Sequence, residues 1–417
     1  MESALFEHAY GAVLAELARR LKEPAPGRVQ LLTGPRQVGK TTLLGEIEAQ
    51  WRGKSLYLAA DAPEASLPGW WERQWQRARE LAAGTGPAIL LLDEIQYLSD
   101  WSRRLKHETD RLAKERTALH VVVTGSSALH LGAGTRETMA GRFERLSLLH
   151  WPPRELVARF GLAPVAAVEF VVTHGGYPGA VALRDEERRY RRYVLDSIVE
   201  PAIGRDLLAT EVVRKPAMLR QIFAVAVSHP AQIVSLQKIQ GALAEPGSLA
   251  TVAHYLRLLE EACLVAPVAK YSRQAVRQRA APPKLVVLNN ALLGAGGGAP
   301  PDPETQPERW GRWVENACMA LAWNAGQQIR YWREEPCEVD FISEGSWGGF
   351  AVEVKTGDYT GRDLAGLLEF QRRFPELRPL VLCDPGREAI ARRLGLPVSS
   401  WKEFLLNGPA SAAARPA

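Results

Sequence analysis

The stretch "GPRQVGKTT", residues 34–42, constrains the fold of this 417-residue chain more than any other. The pattern G-x-x-x-x-G-K-T wraps phosphate groups with backbone N–H donors only where it joins a strand to the start of a helix. Both flanks meet that demand: "RVQLLT" is an apolar run ahead of Gly34, and Leu43, Leu44 and Ile47 recur at helical spacing behind it. The loop formed by Gly34, Pro35, Arg36, Gln37, Val38, Gly39, Lys40, Thr41 and Thr42 is therefore expected to cradle ATP. Lys40 would meet the β and γ phosphates, and the Thr41 hydroxyl would help to hold Mg2+.

Such a loop needs a companion strand ending in acid, and "PAILLLDEIQYL" supplies one with Asp93 and Glu94 at its end. A fully apolar run fits a central parallel strand covered on both faces, whose C-terminal end is where these sheets bind ligands. Asp93 would hold Mg2+ through water, and Glu94 would orient and deprotonate the attacking water. A third strand, "ALHVVVTGSS", ends in Thr124 and Ser126, which could reach the γ phosphate; Ser126 is the expected sensor. Arg142 follows a glycine just before another apolar run, "RLSLL". It could stabilise transition-state charge in its own subunit or a neighbour, or be a solvated surface arginine.

Composition narrows the setting. Hydrophobic residues make up 46% and charged residues 24%, and no apolar run reaches the roughly 18 residues a bilayer span needs. The start of the chain lacks the pattern of a secretory signal, and the four cysteines are scattered without metal-ligand spacing, so a reducing cytoplasm is expected. A net charge of +5 is compatible with a polyanion partner.

From Val157 to Arg192 the periodicity is helical, and it changes after "GRDLL". "PAMLRQIFAVAVSH", "SLQKIQGALA" and "SLATVAHYLRLLEEACLV" predict three helices, the last capped by Ser248 with Val252, Leu256, Leu259 and Cys263 on one face. Two strands follow, "LVAPVAKYS" and "PPKLVVLN", joined by a loop with Arg273, Arg277 and Arg279. Helix-turn-helix plus a basic hairpin predicts a winged helix, with DNA as its partner or with a packing role inside an ATPase assembly. A Gly/Pro-rich linker then leads to a helix carrying Glu315, strands carrying Asp340, Glu353 and Lys355, and two further helices. Glu353 and Lys355 share a strand face. Glu315, Asp340 and Glu353 could hold Mg2+ while Lys355 steadies water or phosphate; alternatively Asp340 to Lys355 is a structural ion network.

The motifs "LLTGPRQVGKTTLL", "ILLLDEIQYL", "VVVTGSS", "AGRFERLSL" and "GGYPGAV" resemble those of AAA+-related bacterial and archaeal ATPases that carry a C-terminal domain of unknown function. The resemblance implies finger duty for Arg142 and a lid helix opened near the nucleotide by Gly175, Gly176 and Pro178. It also aligns "EN" (Glu315, Asn316), "VDF" and "EVK", a set that looks like the PD-(D/E)xK nuclease fold, with Gln371 matching an auxiliary glutamine. "LLHWPPREL" departs from the family pattern. The expected architecture is α/β: an AAA+-type parallel sheet over 1–150, a helical lid over 151–204, a winged helix over 205–292, a linker over 293–307 and a nuclease-like α/β domain over 308–417. Expected ligands are ATP and Mg2+. Expected partners are DNA and further copies of the chain, in a ring that could be hexameric, with a protein partner as the alternative to DNA and with no membrane.

Overall fold

The computed structural model describes residues 5–126, 141–207, 213–274, 281–295 and 298–409. Arg277 and Arg279 lie outside the described residues. The chain forms two compact units, one of residues 8–149 with 205–213, the other of residues 1–7, 150–204 and 214–417.

In the first unit the elements run α1 (Tyr10–Arg20), β1 (Val29–Gly34), α2 (Lys40–Gln50), β2 (Ser55–Ala59), α3 (Trp70–Ala82), β3 (Ala88–Asp93), α4 (Trp101–Glu115), β4 (Leu119–Ser126) and β5 (Phe143–Ser147). All five strands pair in parallel in the order β2-β3-β4-β1-β5. β1, β3 and β4 are buried along their whole length, which is why they read as unbroken apolar runs. Trp71, Trp75, Leu105 and Leu112 from α3 and α4 close one core against Leu90, Leu92 and Val123. Because β4 lies on one side of β1 and β5 on the other, the carboxyl end of β1 is a switch point, where open parallel sheets leave a crevice for ligands.

The second unit begins with α5 (Pro153–Phe160), α6 (Pro164–His174) and α7 (Glu187–Val194). Next come α8 (Pro216–Ser228), β6 (Gln232–Ile233), α9 (Leu236–Gly241), α10 (Leu249–Glu261), β7 (Val265–Val268) and β8 (Lys284–Val287). The three short strands form an antiparallel sheet in the order β6-β8-β7. Ser248 caps α10 as expected, its Oγ accepting from Thr251 N at 3.1 Å, and Val252, Leu256, Leu259 and Cys263 are all buried. The chain continues through α11 (Ala291–Ala295), α12 (Pro307–Asn324), β9 (Gln328–Glu334), β10 (Cys337–Glu344), β11 (Phe350–Lys355), α13 (Ala365–Arg373), β12 (Arg378–Cys383), α14 (Ala389–Arg393), β13 (Val398–Ser400) and α15 (Trp401–Asn407). Here the sheet is mixed, in the order β13-β12-β11-β10-β9, antiparallel from β9 to β11 and parallel from there on.

The segment between β7 and β8 is laid along the edge strand β9 over its described residues. Tyr331 N donates to Ala269 O at 3.2 Å, and the Tyr271 ring meets Phe370 and Phe374 edge-on. Arg273, expected on a free basic loop, instead pairs with Glu376 at 2.7 Å and lies 5.0 Å above the Phe374 ring.

Candidate functional site

At the carboxyl end of β1 the backbone turns through Gln37 at φ 60° and Gly39 at φ 94° before α2 starts at Lys40. Gly34 has no room for a side chain, since a Cβ there would lie 1.9 Å from the carbonyl oxygen of Leu148. Val38 is fully buried and anchors the loop, Gln37, Thr41 and Thr42 are exposed, and Arg36 donates to the Tyr97 hydroxyl at 3.0 Å. The Lys40 ammonium is buried and rests on the carbonyls of Gly34 and Pro35 at 3.0 and 2.9 Å. A buried ammonium resting on two backbone carbonyls suits a lysine that is to meet phosphate oxygens.

Asp93 is the hub of this site. Its Oδ2 accepts from the Thr41 hydroxyl at 2.7 Å and the Tyr57 hydroxyl at 2.8 Å, while its Oδ1 accepts from the Thr124 hydroxyl and from Glu94 N at 3.1 Å. Thr124, expected on the γ phosphate, thus spends its proton on Asp93 and accepts from Glu94 N at 2.9 Å. Burial, then the Asp93 carboxylate, push the Tyr57 phenol above its ordinary range, so it stays a donor. Glu94 sits at φ 55°, a left-handed conformation that costs a non-glycine residue about 1–2 kcal/mol and that turns its side chain out of the strand line. The Gln96 amide holds that side chain, donating to Glu94 Oε2, while Gln96 Oε1 accepts from Ser126 N at 3.4 Å. Ser126 Oγ is buried and has no hydrogen-bond partner among the described residues. A buried hydroxyl left open at the end of β4, beside Gly34 in the sheet register, fits a phosphate oxygen as its missing partner. The donor set fits ATP with Mg2+: Thr41 and Asp93 for the metal, Lys40 and the loop N–H groups for the phosphates.

Two expected members come from other elements. Arg142 precedes β5 and its carbonyl accepts from Val29 N at 2.9 Å, so it lies at the amino end of β1, about 16 Å of strand away from the loop. Its guanidinium pairs with Asp110 of α4 at 2.6 Å. That position sets Arg142 at the end of β1 opposite the phosphate loop of its own sheet. Pro178 opens a 3-10 turn, Pro178–Leu183, of the second unit. There the glycines before it have a packing reason: a Cβ on Gly175, at φ 71°, would lie 1.8 Å from Asn289 Oδ1, and one on Gly176 would lie 2.1 Å from Trp151 O. Tyr177, which follows them, is buried edge-on against His150, at a ring distance of 5.1 Å. The "HWPPREL" part of the irregular stretch therefore packs against "GGYPG" through His150 and Trp151.

The C-terminal acids do come together, but not alone. Asp340 Oδ2 accepts from Val354 N at 2.8 Å, and the Lys355 ammonium lies 2.6 Å from Glu353 Oε1. Lys284, from β8, enters the same cluster with its side chain 2% exposed. Its ammonium lies 2.5 Å from Glu315 Oε1, 3.0 Å from the Asp340 carbonyl, 3.8 Å from Asp340 Oδ1 and 3.7 Å from Glu338 Oε1. Burial would lower the Lys284 pKa, but Glu315, Asp340 and Glu338 together hold it above the ordinary lysine range. Burial, and then the Asp340 charge, raise the carboxyls of Glu315 and Glu353 above the usual carboxylate range. The nuclease resemblance implies a divalent ion on Asp340 and Glu353, and this arrangement does not fit one: the carboxylates already face two ammonium groups, and among the described residues no group of three or more His, Cys, Asp or Glu side chains is set to hold a metal. Gln371 is exposed on α13.

Residues 26–157 match the family described as an AAA domain, and residues 166–302 match a domain of unknown function, DUF8612. Parallel sheet, phosphate loop and family match together give the first unit a P-loop fold similar to that of AAA domains. An uncharacterized protein of Mycobacterium tuberculosis is 26% identical over 349 residues, 81% of this chain and 72% of that protein. ATPase family gene 2 protein homolog B of Homo sapiens is 33% identical over 133 residues, 29% of this chain and 18% of that protein. Among solved structures, the ORC2 protein of Aeropyrum pernix overlays with a TM-score of 0.36 at 16% identity, covering 63% of this chain and 86% of its own. AMPPCP-bound DnaA from Aquifex aeolicus overlays with a TM-score of 0.33 at 18% identity, covering 61% and 92%. Overlays at this level say nothing of ligand or partner. No described helix is long and apolar enough to cross a membrane.

Tyr57, Gln96 and Lys284 were not singled out by the sequence patterns. Gln96 sits two residues past Glu94 within the acid motif, and Lys284 is a lone charge opening an apolar strand; both are visible signals. Tyr57 gives none, being one aromatic in a short strand.

Proposed function

We propose that the chain hydrolyses ATP with Mg2+ at the phosphate loop and couples that turnover to DNA held by the second unit. The observation that carries the ATPase part is the Asp93 hub, which ties the loop residue Thr41 to the backbone of Glu94 through one carboxylate. Mg2+ would supply charge neutralisation on the phosphates. In this assignment Thr41 and Asp93 face the ion, Lys40 turns from its carbonyls to the phosphates, Ser126 donates to a γ-phosphate oxygen, and Glu94 takes the proton of the attacking water. Self-association, hexameric or otherwise, would let Arg142 serve a neighbouring subunit.

DNA contact is supported by the order of α8, α9, α10 and the antiparallel β7–β8 pair, which suits a winged helix, and by Arg257, exposed on α10. α12 followed by the mixed sheet suits a nuclease-like fold. The deciding experiment measures phosphate release with and without duplex, branched and single-stranded DNA across a salt series. Lys40→Ala should abolish ATP binding; Glu94→Gln should still bind ATP while turnover falls about 10²–10⁴-fold. DNA should raise the rate, with the effect fading as salt rises. Undiminished turnover by Glu94→Gln removes the assigned base. A rate indifferent to all three DNAs favours a second reading, a nucleotide-dependent switch acting on a protein partner, which the docking of Arg273 on Glu376 and Phe374 supports.

A further inference from the structure

We propose that Lys284 is the built-in cation of the C-terminal acid cluster, occupying with its ammonium the place where a nuclease of this fold would bind a divalent metal, and thereby excluding that metal while β8 is docked. Three carboxylates, Glu315, Asp340 and Glu353, converge with Lys355, which by itself neutralises only Glu353. The charge left over on Glu315 and Asp340 is what a metal would answer. Lys284 answers it instead, touching Glu315 directly and reaching both the carbonyl and the carboxylate of Asp340. A Mg2+ ion needs near-octahedral oxygen ligands at about 2.0–2.1 Å. It would have to share Glu315 and Asp340 with an ammonium already ion-paired with both carboxylates and hydrogen-bonded to the Asp340 carbonyl, and two cations on one pair of carboxylates repel.

The position of the lysine is fixed by its neighbours. Asn316, next to Glu315 on α12, pairs with the backbone of β8 in both directions, accepting from Val287 N at 2.9 Å and donating to Val287 O at 2.8 Å. The same Nδ2 also donates to Asn290 Oδ1 at 2.8 Å. One helix turn thus grips β8 by an ion pair and an amide pair. Withdrawing Lys284 alone would leave buried carboxylates without a counter-charge, so cation and strand leave together or not at all.

This inference goes beyond the ATPase and DNA assignment and does not depend on it, because its test contains neither nucleotide nor DNA. The full chain, nucleotide-free at neutral pH, is titrated with Mn2+ and free Mn2+ is read by electron paramagnetic resonance. The unaltered chain and Asp340→Asn should bind Mn2+ equally. Lys284→Ala should gain about one ion per chain, and Lys284→Ala with Asp340→Asn should lose it again. An unaltered chain that binds a Mn2+ lost in Asp340→Asn overturns the proposal, as does a folded Lys284→Ala that gains none. If Lys284→Ala does not fold, the comparison of the unaltered chain with Asp340→Asn decides by itself.

Discussion

His150 should make the second unit acid-labile by a calculable amount. Its Nε2 donates to Cys263 O at 3.0 Å, its Nδ1 accepts from the Asn289 amide at 3.1 Å, and the Tyr177 ring closes over it. Both nitrogens are used by the neutral ring, so a second proton would displace Asn289. Burial, opposed only by the bond to Cys263, lowers the imidazole from 6.5 to about 4. The folded value lies below the unfolded one, so the stability is fully present above pH 6.5 and drains away as pH falls toward 4. Linkage puts the loss at about 2 kcal/mol between pH 7 and pH 5 and about 3 kcal/mol by pH 4. With a urea slope of roughly 1–3 kcal/mol per molar, the midpoint of this unit should drop by about 1 M between pH 7 and pH 5. His150→Gln keeps an amide donor for Cys263 but cannot titrate, and its drop should be smaller by that amount. Surface carboxylate pairs act alike in both proteins and cancel. Equal pH slopes in the two would refute the assignment of a neutral, buried His150.

Gly34→Ala should abolish binding of a fluorescent ATP analogue and lower the melting temperature, because the added Cβ at 1.9 Å from Leu148 O must push apart β1 and the chain after β5. Gly45→Ala, on α2 with nothing within 4 Å of its Cβ, is the control and should be neutral or stabilising by up to about 1 kcal/mol. Arg142→Ala should leave ATP binding intact and slow hydrolysis only in the associated form. Mixing it with Glu94→Gln subunits should restore part of the rate, and a chain that stays monomeric yet loses turnover on Arg142→Ala would contradict the neighbour role.

What could be read from the sequence was whatever the chain carries in one local stretch. The phosphate loop, the acid-ended β3 and the cap at Ser248 each depend on residues a few positions apart, and each lies where its pattern puts it. Full burial of β1, β3 and β4 was legible for the same reason: a strand covered on both faces has no polar alternation to disguise it. Side-chain partnerships across strands were not legible. Tyr57 meets Asp93 only because β2 pairs with β3, and Lys284 meets the Asp340 carbonyl across 56 residues of chain. The pairing of Arg273 with Glu376, 103 residues away, likewise has no signal in the local sequence. Nor was it legible which end of the sheet Arg142 adjoins, because sequence distance from a strand does not say so.

The short run 284–290, "KLVVLNN", gathers long-range partners from several elements of the second unit. Lys284 serves the acid cluster, Val287 pairs with Asn316 of α12, Leu288 O accepts from Asn324, Asn289 bonds His150 and the backbone of Gly176, and Asn290 bonds the carbonyls of Val172 and Trp313. These groups are buried or half-buried, and a buried donor or acceptor left unmatched costs about 1–3 kcal/mol. Sliding the helices before Gly176 against the small sheet, or the small sheet against α12, would leave several unmatched at once. Displacing α6 from the three-stranded sheet, or that sheet from α12, therefore carries the cost of several unmatched groups at once, because this one run bonds to both sides.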